Sequence, residues 1–68
     1  MPREEGREEG QRAALLEGIE VGLELKFGAE GLGLMAEIAQ VQDVAVLRAI
    51  QQGLRTASSL DDLRRLIP

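Results

Sequence analysis

The sequence contains no cysteine and no histidine, and Phe27 is its one aromatic residue. The lack of cysteine excludes a disulfide and a thiolate metal site. The lack of histidine removes the commonest metal ligand and the commonest general base. A chain of 68 residues without these supports has only a small core, and such chains are often stabilised by oligomerisation. We therefore expect the fold to be completed by association with another copy.

Positive charge and long apolar runs are also scarce. Eight basic residues stand against twelve acidic ones, giving a net charge of −4, which disfavours nucleic acid and anionic membranes as partners. No apolar run approaches the ~18 residues that read as a transmembrane helix. The charged N-terminus is not followed by a secretory apolar segment. These features predict a soluble, cytoplasmic protein with no membrane partner.

Helix-forming residues make up most of the chain, and its β-branched residues fall at helical spacings without alternating runs. Glycines and capping residues divide the pattern into segments. A long N-terminal helix should end at a left-handed Gly28, and a short helix should follow at about residues 31–40. Asp43 is a candidate N-cap for the third helix, and Ser59 with Asp62 resembles a capping box for the fourth. We predict an all-α domain with one long helix followed by three shorter ones.

Residues 1–12 form a polar segment in which the tetrapeptide "REEG" occurs twice. Because this segment has no apolar side chains to bury, we expect it to be a frayed helix or a disordered arm when alone, and an ordered helix only in an assembly. Residues 13–68 are then the helical association domain.

The long helix carries an unusually wide apolar arc. By helical angle it spans about 240°, whereas a surface helix usually has an arc somewhat over ~100°. One neighbouring helix cannot cover such an arc. Small residues recur every fourth position, and Gly18 and Gly22 fall inside the arc, where a second helix could approach closely. The predicted interface with a second copy consists of Leu15, Leu16, Gly18, Ile19, Gly22, Leu23 and Phe27.

Two acidic motifs could suggest chemistry. Glu24 and Lys26 have the spacing of a metal-dependent nuclease triplet, but that chemistry needs a partner aspartate that is normally held on strands. Asp61 and Asp62 lie at a helix start, where acidic residues usually serve the cap and the helix dipole. We therefore predict no catalytic residues, no metal site and no cofactor. The remaining candidate is a small basic face, with Arg48, Arg55, Arg64 and Arg65 as a weak nucleic-acid contact.

Three blocks carry a family resemblance: the repeated Glu-Gly segment, "LLEGIEVGLELKFGAEGL", and "LRAI" followed by "TASSLDDLR". Together they resemble the C-terminal tail of recombination-promoting nucleases and transposase-like proteins. The resemblance implies kinship to an accessory region, because the nuclease core of that family lies upstream and nothing in residues 1–68 matches it. It leaves open whether the chain is a freestanding protein or a detached tail.

Three functions follow from these observations. The first is a non-enzymatic self-association module that forms a homo-oligomer, with a dimer favoured. The second is an adaptor or regulator whose apolar arc receives another protein, such as a related nuclease. The third is a weak nucleic-acid-binding accessory.

Overall fold

The computed structural model describes the backbone of residues 4–68 and the side chains of residues 9–68. This part of the chain is built from helices alone, which confirms the all-α prediction of one long helix and three shorter ones. The second helix begins two residues earlier than predicted. The predicted polar arm falls partly outside the described residues, but the backbone of residues 4–12 belongs to the first helix. The four helices are α1 (Glu4–Phe27), α2 (Ala29–Ile38), α3 (Val44–Thr56) and α4 (Leu60–Arg64).

The core lies where α2 and α3 pack against one side of α1, and α4 packs against α3. Every helix contributes at least one fully buried aliphatic side chain, so the chain has a single continuous apolar cluster. Its largest fully buried side chains are Ile19, Leu23, Ile38, Leu47, Ile50 and Leu63. None of the helices in the described part of the chain is long and apolar enough to cross a membrane.

A single residue, Gly28, separates α1 from α2. Its φ of 67° confirms the predicted positive angle, although its ψ of −145° differs from the left-handed helical value. The Gly28 N–H donates to the Glu24 carbonyl at 2.9 Å, and its own carbonyl accepts from the Leu32 N–H at 3.2 Å. Gly28 therefore ends one helix and begins the next, and α2 folds back on α1.

This tight connection brings the backbones of α1 and α2 together at Gly31. A Cβ atom at this position would lie 2.5 Å from the Leu23 carbonyl oxygen and 3.0 Å from Phe27 Cβ. Gly31 is buried, so the absent side chain sets the distance between the two helices.

The two predicted caps have different outcomes. The Asp43 carboxylate accepts from the Ala45 N–H at 2.9 Å and confirms the N-cap of α3. Ser59 occupies the N-cap position of α4 but makes no side-chain capping bond, so the predicted capping box was wrong. The Asp62 carboxylate instead accepts from the backbone N–H and the hydroxyl of Ser58, at 3.0 and 3.1 Å.

These hydrogen bonds from Ser58 lower the pKa of Asp62 below its usual value. A carboxylate with a lowered pKa in the folded state stabilises the fold when it is ionised. The contribution of Asp62 is therefore present at neutral pH and is lost as the pH falls through its lowered pKa in the folded state.

Two cations of α1 hold it against the rest of the molecule. The Arg12 guanidinium donates to the Ala39 and Val41 carbonyls, at 2.6 and 2.9 Å. The Lys26 ammonium donates to the Leu54 carbonyl at 2.7 Å. These carbonyls lie just after α2 and in the last turn of α3, where helix carbonyls lack intrahelical partners. Arg12, assigned from sequence to the polar arm, is thus tied to the folded core.

Candidate association surface on the first helix

The inner face of α1, defined as Leu15, Ile19 and Leu23, belongs to the core of the chain itself. Ile19 and Leu23 are completely buried, and Leu15 packs beside them as a half-buried residue. Leu16 and Phe27 are also half-buried against the same core. Five of the seven residues predicted as an interface are therefore covered wholly or in part by α2 and α3.

The other two predicted interface residues are the glycines. A Cβ atom added to Gly22 would collide with the Leu54 side chain, and one added to Gly18 would lie 3.0 Å from Gln51 Nε2. The predicted close helix–helix contact thus exists between α1 and α3 of one chain. A contact with another molecule has to use the side chains that this packing leaves exposed.

Those side chains form the outer face of α1, which we define as Ala14, Gly18, Val21 and Leu25. All four are exposed; Val21 retains 50% and Leu25 82% of its accessible surface. The successive spacings of four, three and four residues are those of the a and d positions of a heptad. The interface predicted from the sequence does not include Val21 or Leu25, because a helical angle does not say which part of an apolar arc is covered.

Charged residues flank the outer face on both sides. Glu17 and Glu24 lie on α1, at helical angles about 60–100° from the centre of the face. On the other side, α3 packs beside Gly18 through Gln51. The exposed side chains of Arg48 and Arg55 lie next to Gln51 on the surface of α3, farther from the core. The outer face therefore lies between an acidic row and a basic row.

The four arginines predicted as a nucleic-acid contact do not share one face. Arg48 and Arg55 lie on the side of α3 that is next to the outer face of α1. Arg64 ends α4 and Arg65 follows it. This C-terminal segment packs on the opposite side of α3, where Leu66 Cδ1 would be 2.8 Å from a Cβ atom at Gly53. Arg64 is paired with Asp61 at 3.4 Å. The structure thus separates the proposed basic face into two pairs.

The motifs considered for chemistry are engaged in local structure. Lys26 binds the Leu54 carbonyl, and Asp62 binds Ser58. Among the residues with described side chains, no three acidic groups come together as a metal site. The prediction that the protein is not an enzyme stays a prediction.

No family model, curated protein or solved structure matches this chain. The resemblance to the tails of recombination-promoting nucleases therefore also stays a prediction.

Proposed function

We propose that the protein is a non-enzymatic self-association module that forms a homodimer through the outer face of α1. The observation that carries this proposal is the exposure of Leu25, 82% accessible one turn after the half-exposed Val21. Burying apolar surface stabilises a protein by about 25 cal/mol per Å². Covering these side chains should therefore substantially increase the stability of a chain with so small a core.

The spacing of the outer face supports a second copy as the partner. Two helices with the same heptad spacing can pack face to face, and a two-fold contact uses the same surface on both chains. The sequence resemblance to an accessory tail suits such a role, because no part of the chain corresponds to a nuclease core.

Sedimentation equilibrium over a range of protein concentrations tests the proposal on the full chain. We expect the wild type to pass from monomer to dimer and Leu25→Glu to stay monomeric with unchanged helix content. Ala49→Glu is the matched control, because Ala49 is exposed on α3 at a helical angle far from both the core and the outer face. This variant should dimerise as the wild type does.

A wild type that remains monomeric at every concentration would overturn self-association. The exposed face would then be free for a different protein, which is the adaptor function. A dimer that survives Leu25→Glu would show that the copies meet through another surface.

A further inference from the structure

The acidic and basic rows beside the outer face have the same length. Glu17 and Glu24 are seven residues apart on α1, and Arg48 and Arg55 are seven residues apart on α3. At 1.5 Å per residue each row spans about 10.5 Å. All four side chains are exposed, and none of them forms an ion pair with another described residue.

The two rows also lie at the same height. Gly18 faces Gln51 and Gly22 faces Leu54, so α1 and α3 run in the same direction. These contacts place α3 residues beside α1 residues about 32 to 33 positions earlier. Arg48 is then within about two residues of the level of Glu17, a displacement of roughly 2–3 Å. The same relation holds for Arg55 and Glu24.

The direction of pairing decides which charges meet. If two copies pack their outer faces together with α1 helices parallel, the two-fold axis runs along the helices. The acidic row of one copy then opposes the basic row of the other. If the helices are antiparallel, the axis crosses them and each acidic row opposes the other acidic row. Opposite charges across a contact favour association, whereas like charges disfavour it.

We propose that the partner of the outer face is a second copy in parallel orientation, selected by pairing of Glu17 with Arg48 and of Glu24 with Arg55 between chains. This inference rests on the proposed homodimer and adds its orientation. The two-fold axis generates each pair twice. Small residues at Ala14 and Gly18 allow the helix backbones to approach at one end of the contact, and Val21 and Leu25 cover the other end.

Charge reversal of each row tests the orientation. The double variants Glu17→Lys/Glu24→Lys and Arg48→Glu/Arg55→Glu each place like charges opposite one another in the parallel dimer. We expect each variant alone to dimerise at least about tenfold more weakly than the wild type. An equimolar mixture should form a heterodimer with wild-type affinity, which native mass spectrometry identifies by its mass.

A matched control reverses two exposed glutamates on α2 that are also seven residues apart, Glu30 and Glu37. The variant Glu30→Lys/Glu37→Lys makes the same change in net charge and should dimerise normally. Loss of its dimer would mean that net charge, not the rows, governs association.

The remaining outcomes separate the two proposals. A monomeric wild type overturns the homodimer and the orientation together. A wild-type dimer with no heterodimer in the mixture of the two reversed variants overturns the parallel pairing alone. If each reversed variant alone dimerises as strongly as the wild type, the acidic row of one copy does not oppose the basic row of the other, and the parallel pairing is overturned while the homodimer stands.

Discussion

The inner and outer faces of α1 are both apolar, yet the fold uses them differently. Leu23 on the inner face is completely buried, while Leu25, two residues later, is 82% exposed. The inner face meets α2 and α3 of the same chain, whereas no described residue covers Val21 or Leu25 fully. An apolar face on a helix therefore indicates that another surface should cover it, but only the tertiary structure shows which surface does so.

The largest expected effect comes from truncating matched leucines on the two faces. Leu23→Ala leaves a cavity in the core and should lower the free energy of unfolding by about 3 kcal/mol. Leu25→Ala should change it by less than about 0.5 kcal/mol when the chain is monomeric. Urea unfolding followed by circular dichroism at low protein concentration measures both values. Equal losses would show that Leu25 also packs within the monomer.

Gly31 and Gly33 extend the comparison to the backbone contact behind the inner face. Gly31→Ala forces a methyl group against the Leu23 carbonyl, which cannot move aside as a side chain can, and should cost about 2 kcal/mol. Gly33→Ala is the control on the same helix, because nothing lies within 4 Å of its added Cβ. The free energy of unfolding of this control should rise by about 0.5–1 kcal/mol, because alanine has the higher helix propensity. A stabilised Gly31→Ala variant in the same thermal unfolding series would contradict the close contact.

Arg12 tests how far the inner face continues toward the N-terminus. Arg12→Met retains an apolar stem but removes the hydrogen bonds to the Ala39 and Val41 carbonyls, and should cost about 1 kcal/mol. Gln11→Met is the neighbouring control at an exposed position and should be nearly neutral. Hydrogen exchange by mass spectrometry should show faster exchange in residues 9–14 only for Arg12→Met. Unchanged exchange there would mean that Arg12 does not hold this part of α1.

The smallest effects should separate Gly18 from Gly22, which have the same place in the four-residue pattern of the sequence. Gly22→Ala must displace the Leu54 side chain, and this costs more than the substitution gains in helix propensity. The free energy of unfolding should therefore fall by about 0.5 kcal/mol. Gly18→Ala meets only the end of the flexible Gln51 side chain and should gain about 0.5 kcal/mol. Thermal unfolding at low concentration measures both changes. If both substitutions changed the free energy of unfolding in the same direction, the two glycines would not lie on different faces of α1.

Local features of the fold could be predicted from the sequence because their causes are local. The positive φ of Gly28 and the Asp43 cap each depend on a few neighbouring residues, and both are found. The capping box at Ser59 failed by one position, since the Asp62 carboxylate can reach Ser58 instead. The start of α2 and the N-terminal ends of α3 and α4 therefore follow from the sequence to within about two residues.

The candidate site was less predictable, because its residues come from distant parts of the chain. The second helix was predicted to begin near Gly31, but the sequence did not show that Gly31 forms the backbone contact between α1 and α2. Arg48 and Arg55 were grouped with the arginines of α4, although they border the outer face of α1. Each of these placements depends on how the helices pack, and spacing within one helix holds no information about that.

The sequence by itself determined an all-helical chain whose first helix has more apolar surface than one neighbour can cover. Only the tertiary structure decided that Ile19 and Leu23 are covered from within and that Val21 and Leu25 remain exposed. The physical reason is that helical periodicity depends on residues three or four positions apart. The covering of a face depends on contacts between residues some thirty positions apart, such as Gly22 with Leu54.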